Sequence, residues 1–290
     1  MNAKGKKFLG TAGLLLVTII WGGGFVASDI ALETLSPFQI MAVRFLIAAA
    51  FMTVLSRKQL RTISREEIRC GARLGSALFA GFALQIIGLQ YTTPSKNAFL
   101  TATNVVMVPV IAFLIGRKHI SGRGILGALM AAAGAGVLSL QSGFSIGTGD
   151  ALTLLCAVGF AFQIYLTGQY VGRIRPSVLN FLQMTTAFAL SLAGLLATGG
   201  TAFHPSLRSL LAVFYLGVVS TTICYLLQTA AQKYVEETES AIILSMESVF
   251  GTVFSVLLLK EHVTARMMIG SVLILAAVII SSVRTGPEEK

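Results

Sequence analysis

Hydrophobic residues along this chain form ten long runs that are separated by short polar segments. The runs lie approximately at 9–28, 37–56, 71–91, 98–115, 124–140, 151–171, 178–198, 209–234, 241–259 and 267–283. Most contain close to the roughly 20 apolar residues that an α-helix needs to cross a bilayer. None alternates apolar and polar residues with the two-residue period of a membrane β-barrel strand. The pattern therefore predicts an all-α integral membrane protein with ten transmembrane helices.

The composition agrees with this prediction and excludes several classes of protein. The chain has 290 residues, of which 55% are hydrophobic and 12% are charged. A soluble domain has about 25% charged residues, and a single soluble core does not cover this much apolar surface. These values exclude a soluble globular enzyme, a disordered chain and a secreted disulfide scaffold. The three cysteines, Cys70, Cys156 and Cys224, follow no pairing pattern and are interpreted as small packing residues.

The distribution of basic residues predicts the orientation of the chain. A formal net charge of +10 would suggest a nucleic-acid partner in a soluble protein. If the N-terminus is cytoplasmic, 17 of the 22 Lys and Arg residues lie on the cytoplasmic side, four lie on the other side, and Arg44 lies inside a span. Such an excess marks cytoplasmic loops. We therefore expect a multi-pass protein of the cell membrane, with both termini cytoplasmic, lipid around it and no nucleic-acid partner.

The two halves of the sequence resemble each other at a fixed offset of 143 residues. The offset aligns Gln85 with Gln228 and the segment 118–123 with the segment 261–266, so that His, Arg and Gln recur in one register. Nearer the start of each half the offset becomes 139. Apolar identities arise easily by chance, but these polar ones do not. The register therefore predicts an internal duplication.

The duplication has a geometric consequence. We predict a first five-helix repeat at 8–140 and a second five-helix repeat at 148–284. Because five is an odd number, the second repeat enters the membrane from the opposite side, which gives inverted-topology repeats of the kind found in many secondary transporters. Such repeats supply two alternative conformations, and the substrate site is expected near the midplane between them.

Four short motifs connect the sequence to a known family. They are the segment 21–25 (WGGGF), Arg44-Phe45, the segment 97–100 (NAFL), and the segment 258–262 (LLKEH) that is followed by Gly270. Their order and duplication resemble the drug/metabolite transporter superfamily, and more specifically an EamA-type ten-helix transporter with two EamA repeats. The resemblance implies export of small metabolites, often amino acids or their derivatives.

Two departures from the family pattern stand out. The tryptophan that commonly opens the sixth span is Phe160 here, which is expected to alter the cavity wall. The acidic residue that often closes the fourth span is replaced by Arg117-Lys118, to which we assign no functional consequence.

Only two ionisable residues stand clearly inside the predicted spans, Arg44 and Glu247. Such residues are costly in a bilayer unless they face protein or water, so each is a functional candidate. The expected depths allow a direct or water-bridged pair. The functional interpretation is a gate or an anchor for a charged substrate, with Glu247 also able to carry a proton. The alternatives are a structural ion pair or side chains that reach the headgroups.

Uncharged polar and aromatic residues complete the candidate site. Amides inside a membrane need a partner in protein or water, although interhelical hydrogen bonds alone satisfy many of them. Aromatic residues supply walls, although they more often serve packing. The predicted substrate-binding residues are Trp21, Phe25, Arg44, Gln85, Asn104, Phe160, Gln163, Gln183, Tyr225, Gln228 and Glu247. No cofactor and no metal site are predicted.

Small residues and one proline bear on how the helices touch. The glycines at 22–24 fit either a close helix crossing, which is favoured, or an unwound turn that contacts substrate. Pro109 should kink the fourth span. Faces of small residues fit helix contacts within one chain or between two chains, so a homodimer remains open.

The leading hypothesis for the function is a secondary transporter that exports amino acids or related small metabolites by alternating access. An uptake carrier of small organic solutes is the first alternative. A lipid-active membrane enzyme is a weaker one, because the sequence has no HExxH, no paired acidic motif, no Cys-His cluster and no phosphate-binding loop. The chain is therefore predicted not to be an enzyme.

Overall fold

The computed structural model describes residues 3–117, 122–139, 146–200 and 202–282, and every regular element within these ranges is helical. The connection 118–121, with Lys118 and His119, lies outside the described residues. The α-helices are α1 (Ala3–Leu32), α2 (Pro37–Ser56), α3 (Arg65–Leu89), α4 (Pro94–Thr101), α5 (Asn104–Gly116), α6 (Gly122–Ser139), α7 (Thr148–Tyr170), α8 (Pro176–Ala197), α9 (Leu207–Tyr215), α10 (Cys224–Ala231), α11 (Glu237–Leu244), α12 (Glu247–Leu259) and α13 (Ala265–Ser282). A short 3₁₀ helix covers Gln59–Thr62, and a π-helical segment covers Leu216–Ile223.

Eight helical segments of the described chain are long and apolar enough to cross a membrane. Two further apolar helices are shorter, Ile125–Val137 within α6 and Ala265–Ala277 within α13. The prediction of an all-helical membrane protein is confirmed. The count of ten spans stays a prediction.

Serine caps start two of the long helices. Ser36 and Ser64 each accept a hydrogen bond from the backbone N–H three residues later, and Gln39 and Glu67 return the bond to the cap. These reciprocal bonds satisfy N–H groups that the first helical turn leaves without partners. The boundaries of α2 and α3 are thus encoded locally in the sequence.

Three of the predicted continuous spans are interrupted. The fourth span divides into α4 and α5 at Ala102-Thr103, the ninth divides into α11 and α12 at Ser245-Met246, and the eighth contains the π-helical segment. Pro109 lies inside α5, seven residues from Ala102, and α12 follows its own break without any proline. The predicted kink at Pro109 is therefore not the feature that divides the fourth span.

The second part of each half repeats the same boundaries. The helices α4, α5 and α6 begin and end 143 residues before α11, α12 and α13. Left-handed residues end α5 and α12 at corresponding positions, Arg117 with φ 52° and Lys260 with φ 56°. The sequence offset of 143 thus has an equivalent in the positions of helix ends and helix breaks.

Helices of the first and second halves interleave. α1 packs against α12, α10 and α9; α2 packs against α8; α3 packs against α7 and α8; and α6 packs against α13. Leu78, Phe82 and Phe160 meet in the largest apolar cluster. Close approach depends on small residues, since a Cβ on Gly22 would lie 2.5 Å from the Cβ of Phe250. α1 continues as a helix through 22–24, so the close-crossing interpretation of these glycines is confirmed.

Two ion pairs occupy corresponding positions at opposite ends of the bundle. Lys7 of α1 contacts Glu239 of α11, and Lys96 of α4 contacts Asp150 of α7, each with 2.8 Å between nitrogen and oxygen. Each member of the first pair lies 143 residues from a member of the second, with the charges exchanged. The second pair is the more buried, because the Asp150 side chain is 3% exposed.

The three cysteines are free and buried, which confirms their interpretation as packing residues.

Candidate functional site

Helices of the two halves line a cavity whose empty space, counted together with the adjoining solvent, is about 610 Å³. Nine of the eleven predicted site residues line it, namely Trp21, Phe25, Arg44, Gln85, Asn104, Phe160, Gln163, Tyr225 and Glu247. Gln183 and Gln228 are not part of the lining.

The cavity extends from the middle of the bundle toward one end. Its lining reaches Ser28 and Leu89, which lie at or near the C-terminal ends of α1 and α3. At that end Asn97 of α4 donates to the Thr153 hydroxyl of α7, at 2.8 Å. Gln163 lies ten residues farther along α7, or about 15 Å away at 1.5 Å per residue. The cavity therefore extends from the end of the bundle that contains the α3–α4 connection to beyond the middle of α7.

Arg44 is held by the second half of the chain. Its Nε and Nη2 donate to the hydroxyl of Thr221, at 3.1 and 2.9 Å. Its guanidinium carbon lies 4.0 Å from the centroid of the Phe82 ring, which is the geometry of a cation–π contact. The side chain is 1% exposed. A buried cation is thus positioned by a hydroxyl and an aromatic face.

A direct ion pair between Arg44 and Glu247, which the expected depths allowed, does not form. Within the described ranges neither residue has an ion-pair partner, although both line the same cavity. The depth estimate placed them at similar levels, but Arg44 turns to Thr221 of the π-helical segment instead. The cavity consequently contains one basic and one acidic side chain that do not bond to each other.

Glu247 is positioned by the break in the ninth span. It is the first residue of α12 and is 6% exposed. The N-terminus of a helix carries a partial positive charge that favours a carboxylate there. Asn104 is the corresponding first residue of α5, and its buried Oδ1 has no hydrogen-bond partner. Both breaks therefore present a polar side chain to the cavity.

Amides of the first half form a fixed layer beside Asn104. Gln85 donates to the hydroxyl of Thr101 at 3.1 Å, and Asn97 donates to the backbone oxygen of Gln85 at 3.1 Å. Since the Nδ2 of Asn97 has two acceptors, Gln85 and Thr153, its Oδ1 is the atom left without a partner. Asn97 lines the cavity and was absent from the predicted set, although it opens one of the family-like motifs.

The other three glutamines of the predicted set form a hydrogen-bonded cluster at the cavity. Gln163 and Gln228 exchange hydrogen bonds at 3.2 and 3.4 Å, and Gln163 also contacts Gln183 at 3.5 Å. Gln183 donates to Asn180 at 2.7 Å. Only Gln163 reaches the lining, so Gln183 and Gln228 support it rather than face the cavity. Interhelical hydrogen bonding, the alternative considered for these amides, accounts for their geometry.

Aromatic residues build the walls. Trp21 donates its ring N–H to the backbone oxygen of Ser220 at 2.8 Å and lies 5.3 Å from Tyr225 between ring centroids. Phe82 and Phe160 meet edge to face at 5.0 Å. Phe160, which replaces the family's common tryptophan, is therefore part of the wall.

Some lining residues were outside the predicted set, notably Ser28, Phe82, Asn97 and Ser220. Small hydroxyl residues such as Ser28 give no signal in a hydrophobic run. Within the described ranges no group of three or more His, Cys, Asp or Glu side chains has the geometry of a metal site.

Comparisons with known proteins agree along the whole chain. The model of the EamA-like transporter family matches residues 8–140 and again residues 147–283. An uncharacterized transporter of Archaeoglobus fulgidus is 36% identical over 279 residues, which cover 96% of this chain and 87% of that protein. A protein of Salmonella typhimurium named a probable amino-acid metabolite efflux pump is 24% identical and covers 92% of each chain. A solved crystal structure with 16% identity has the same fold, with a TM-score of 0.69 over 96% of both chains.

Proposed function

This chain belongs to the EamA-like transporter family, and we propose that it exports amino acids or related small metabolites across the cell membrane by alternating access. The family membership makes the protein a multi-pass membrane transporter rather than an enzyme. The observation that carries the finer proposal is the cavity between the two halves, which holds Arg44 and Glu247 without a mutual ion pair.

Two features support alternating access. The family model matches the chain twice, and the helix ends of the second part of each half recur 143 residues apart. Two five-helix units of opposite orientation, at 8–140 and 148–284, supply two equivalent conformations that open the shared interface to opposite sides. The breaks before Asn104 and Glu247 divide two spans into shorter helices, which resemble the discontinuous helices at the substrate sites of such transporters.

The direction of the cavity follows from the proposed orientation. With both termini cytoplasmic, the α3–α4 connection is external, and the end of the cavity at Leu89 is the end nearer the outside. The excess of basic residues on the side of the N-terminus supports this orientation. The glutamine cluster of Gln163, Gln183 and Gln228 then lies on the cytoplasmic side of the cavity.

Glu247 is proposed to couple proton movement to substrate. It is buried, lines the cavity and has no hydrogen-bond partner among the described residues. A carboxyl group in this position can take up a proton when the cavity faces one side and release it on the other. The amino-acid class is supported by the name of the Salmonella typhimurium relative.

Transport by the purified protein in proteoliposomes tests the proposal. Vesicles loaded with a panel of unlabelled amino acids should accumulate the matching labelled amino acid by counterflow, without nucleotide. Empty vesicles and vesicles lacking a matching internal solute are the controls. Absence of counterflow across the panel would contradict the proposed substrate class, and a requirement for ATP would contradict secondary transport.

Direction is tested in cells. Overexpression should enrich the transported metabolite in the medium, and deletion should deplete it. Accumulation inside the cells on overexpression would favour the uptake carrier instead.

A further inference from the structure

The π-helical segment at Leu216–Ile223 is not explained by the need to span a membrane. Thr221 and Thr222 each donate a side-chain hydrogen bond to the carbonyl five residues earlier, at 2.7 and 2.8 Å. This spacing is that of a π-helix, and π-helical turns occur frequently at functional sites. Among the described residues no charged group is hydrogen-bonded to the Thr222 side chain, whereas Thr221 holds Arg44.

The Thr221 hydroxyl uses its full bonding capacity. A hydroxyl has one donor and two acceptor lone pairs. Thr221 donates to the backbone oxygen of Leu216 and accepts from both the Nε and the Nη2 of Arg44. Its orientation is therefore fixed, and it fixes the edge of the guanidinium that carries those two nitrogens.

Phe82 determines the plane of the same group. With one edge on Thr221 and one face over the Phe82 ring, the guanidinium has a single remaining edge, formed by Nη1 and the second hydrogen of Nη2. Three of its five N–H donors have no acceptor among the described residues. Arg44 lines the cavity, and Thr221 does not.

We propose that the free edge of Arg44 is a carboxylate-binding subsite of the cavity and that Thr221 is its positioning residue. A guanidinium edge matches the two oxygens of a carboxylate in a bidentate arrangement. This proposal rests on the transport function proposed above and names the group by which the substrate is recognised.

The rest of the cavity favours a carboxylate over a phosphate. Glu247 and the free oxygens of Asn97 and Asn104 accept hydrogen bonds and attract positive charge. Acceptor atoms give a phosphate no donors beyond Arg44, but they suit the ammonium group of an amino acid that is bound to Arg44 through its carboxylate. A solute with both groups would meet Arg44 with its carboxylate and these acceptor oxygens with its ammonium group.

Intrinsic tryptophan fluorescence can report ligand binding in the cavity. Trp21 is its only tryptophan and lines the cavity. Purified protein should be titrated with L-leucine, L-glutamine and L-threonine, with their carboxamides, and with inorganic phosphate, while the tryptophan emission is recorded. The carboxamides keep the ammonium group and lose the carboxylate.

We expect a saturable change with at least one amino acid and an affinity for its carboxamide that is about tenfold to a hundredfold lower, because a hydrogen-bonded charged partner is lost. Equal affinities for acid and carboxamide, tighter binding of phosphate, or no saturable signal from any of the acids would overturn the subsite.

The positioning role of Thr221 is tested by the ratio of the affinity for an amino acid to the affinity for its carboxamide. Thr221→Val keeps the shape and removes the hydroxyl, so the preference for acid over carboxamide should fall severalfold. Thr221→Ser should restore it. Thr222→Val is the matched control, because it removes the neighbouring hydroxyl of the same π-helical segment without touching Arg44. A merely structural role would weaken both ligands equally in Thr221→Val, which would refute the assignment.

Failure of this inference is separable from failure of the proposed function. Counterflow of a carboxamide as fast as its acid would leave transport intact and remove the carboxylate subsite. A carboxylate-selective fluorescence change without any counterflow would support the subsite and contradict the proposed transport of these amino acids.

Discussion

Replacing glycine by alanine in α1 should have opposite effects on stability at Gly22, where α1 crosses α12, and at Gly13. A Cβ added to Gly22 would lie 2.5 Å from the Cβ of Phe250 and 2.8 Å from the backbone nitrogen of Gly251. Carbon atoms pack at about 3.5–4.0 Å, so α1 and α12 would have to separate by about 1 Å. Because backbone and Cβ atoms are involved, no side-chain rotation relieves the contact.

Gly22→Ala should therefore destabilise the protein by about 1–3 kcal/mol, which is the usual cost of overpacking. Gly13→Ala is the matched control, since a Cβ at Gly13 meets nothing within 4 Å. It should stabilise α1 by up to about 1 kcal/mol through higher helix propensity.

The free energy of unfolding can be measured by titrating the protein in mixed micelles with increasing SDS and recording the helical circular dichroism signal. This readout avoids the fluorescence of Trp21, which adjoins the substitution. Gly22→Ala with a stability equal to or above that of Gly13→Ala would refute the close crossing as the reason for glycine at this position.

Three further predictions concern substitutions of charged residues. Asp150→Lys should cost about 3 kcal/mol in the SDS titration because it breaks a largely buried pair, and adding Lys96→Asp should recover most of the loss; no recovery would contradict a direct pairing. Glu247→Gln should abolish the response of proteoliposome transport to an imposed pH gradient, whereas exposed Glu66→Gln should preserve it; an unchanged response in Glu247→Gln would remove the proton role. Lys4→Cys should react with an impermeant maleimide only after cells are opened, and labelling of intact cells would contradict a cytoplasmic N-terminus.

Local patterns made much of the fold and the site predictable. Apolar runs give helices because a buried backbone must satisfy its own hydrogen bonds, and the caps Ser36 and Ser64 mark where two of them begin. Polar residues are rare in apolar sequence, so those inside the spans could be selected as site candidates. Most of the selected residues line one cavity because polar side chains in a membrane protein face protein or water rather than lipid. Gln183 was included for the same reason, although it supports Gln163 from outside the lining.

Other features have a weaker local signal. The breaks at Ala102-Thr103 and Ser245-Met246 lie inside long, mainly hydrophobic runs without a proline at the break, so the sequence favoured unbroken spans. Only the polar residues next to each break, such as Asn104 and Glu247, mark its place. Asn97 was visible as part of a motif, but its free oxygen follows from where Gln85 and Thr153 lie around it.

The sequence by itself determined that this protein is helical, that it belongs in a membrane, and which few polar residues stand inside the apolar runs, because these properties follow from composition and from periodicity along the chain. Only the tertiary structure decided that Arg44 bonds to Thr221 rather than to Glu247. The two bonded residues are 177 positions apart, and a hydrogen bond forms only within about 3 Å. That distance is determined by how closely neighbouring helices approach and by the turn of the π-helical segment.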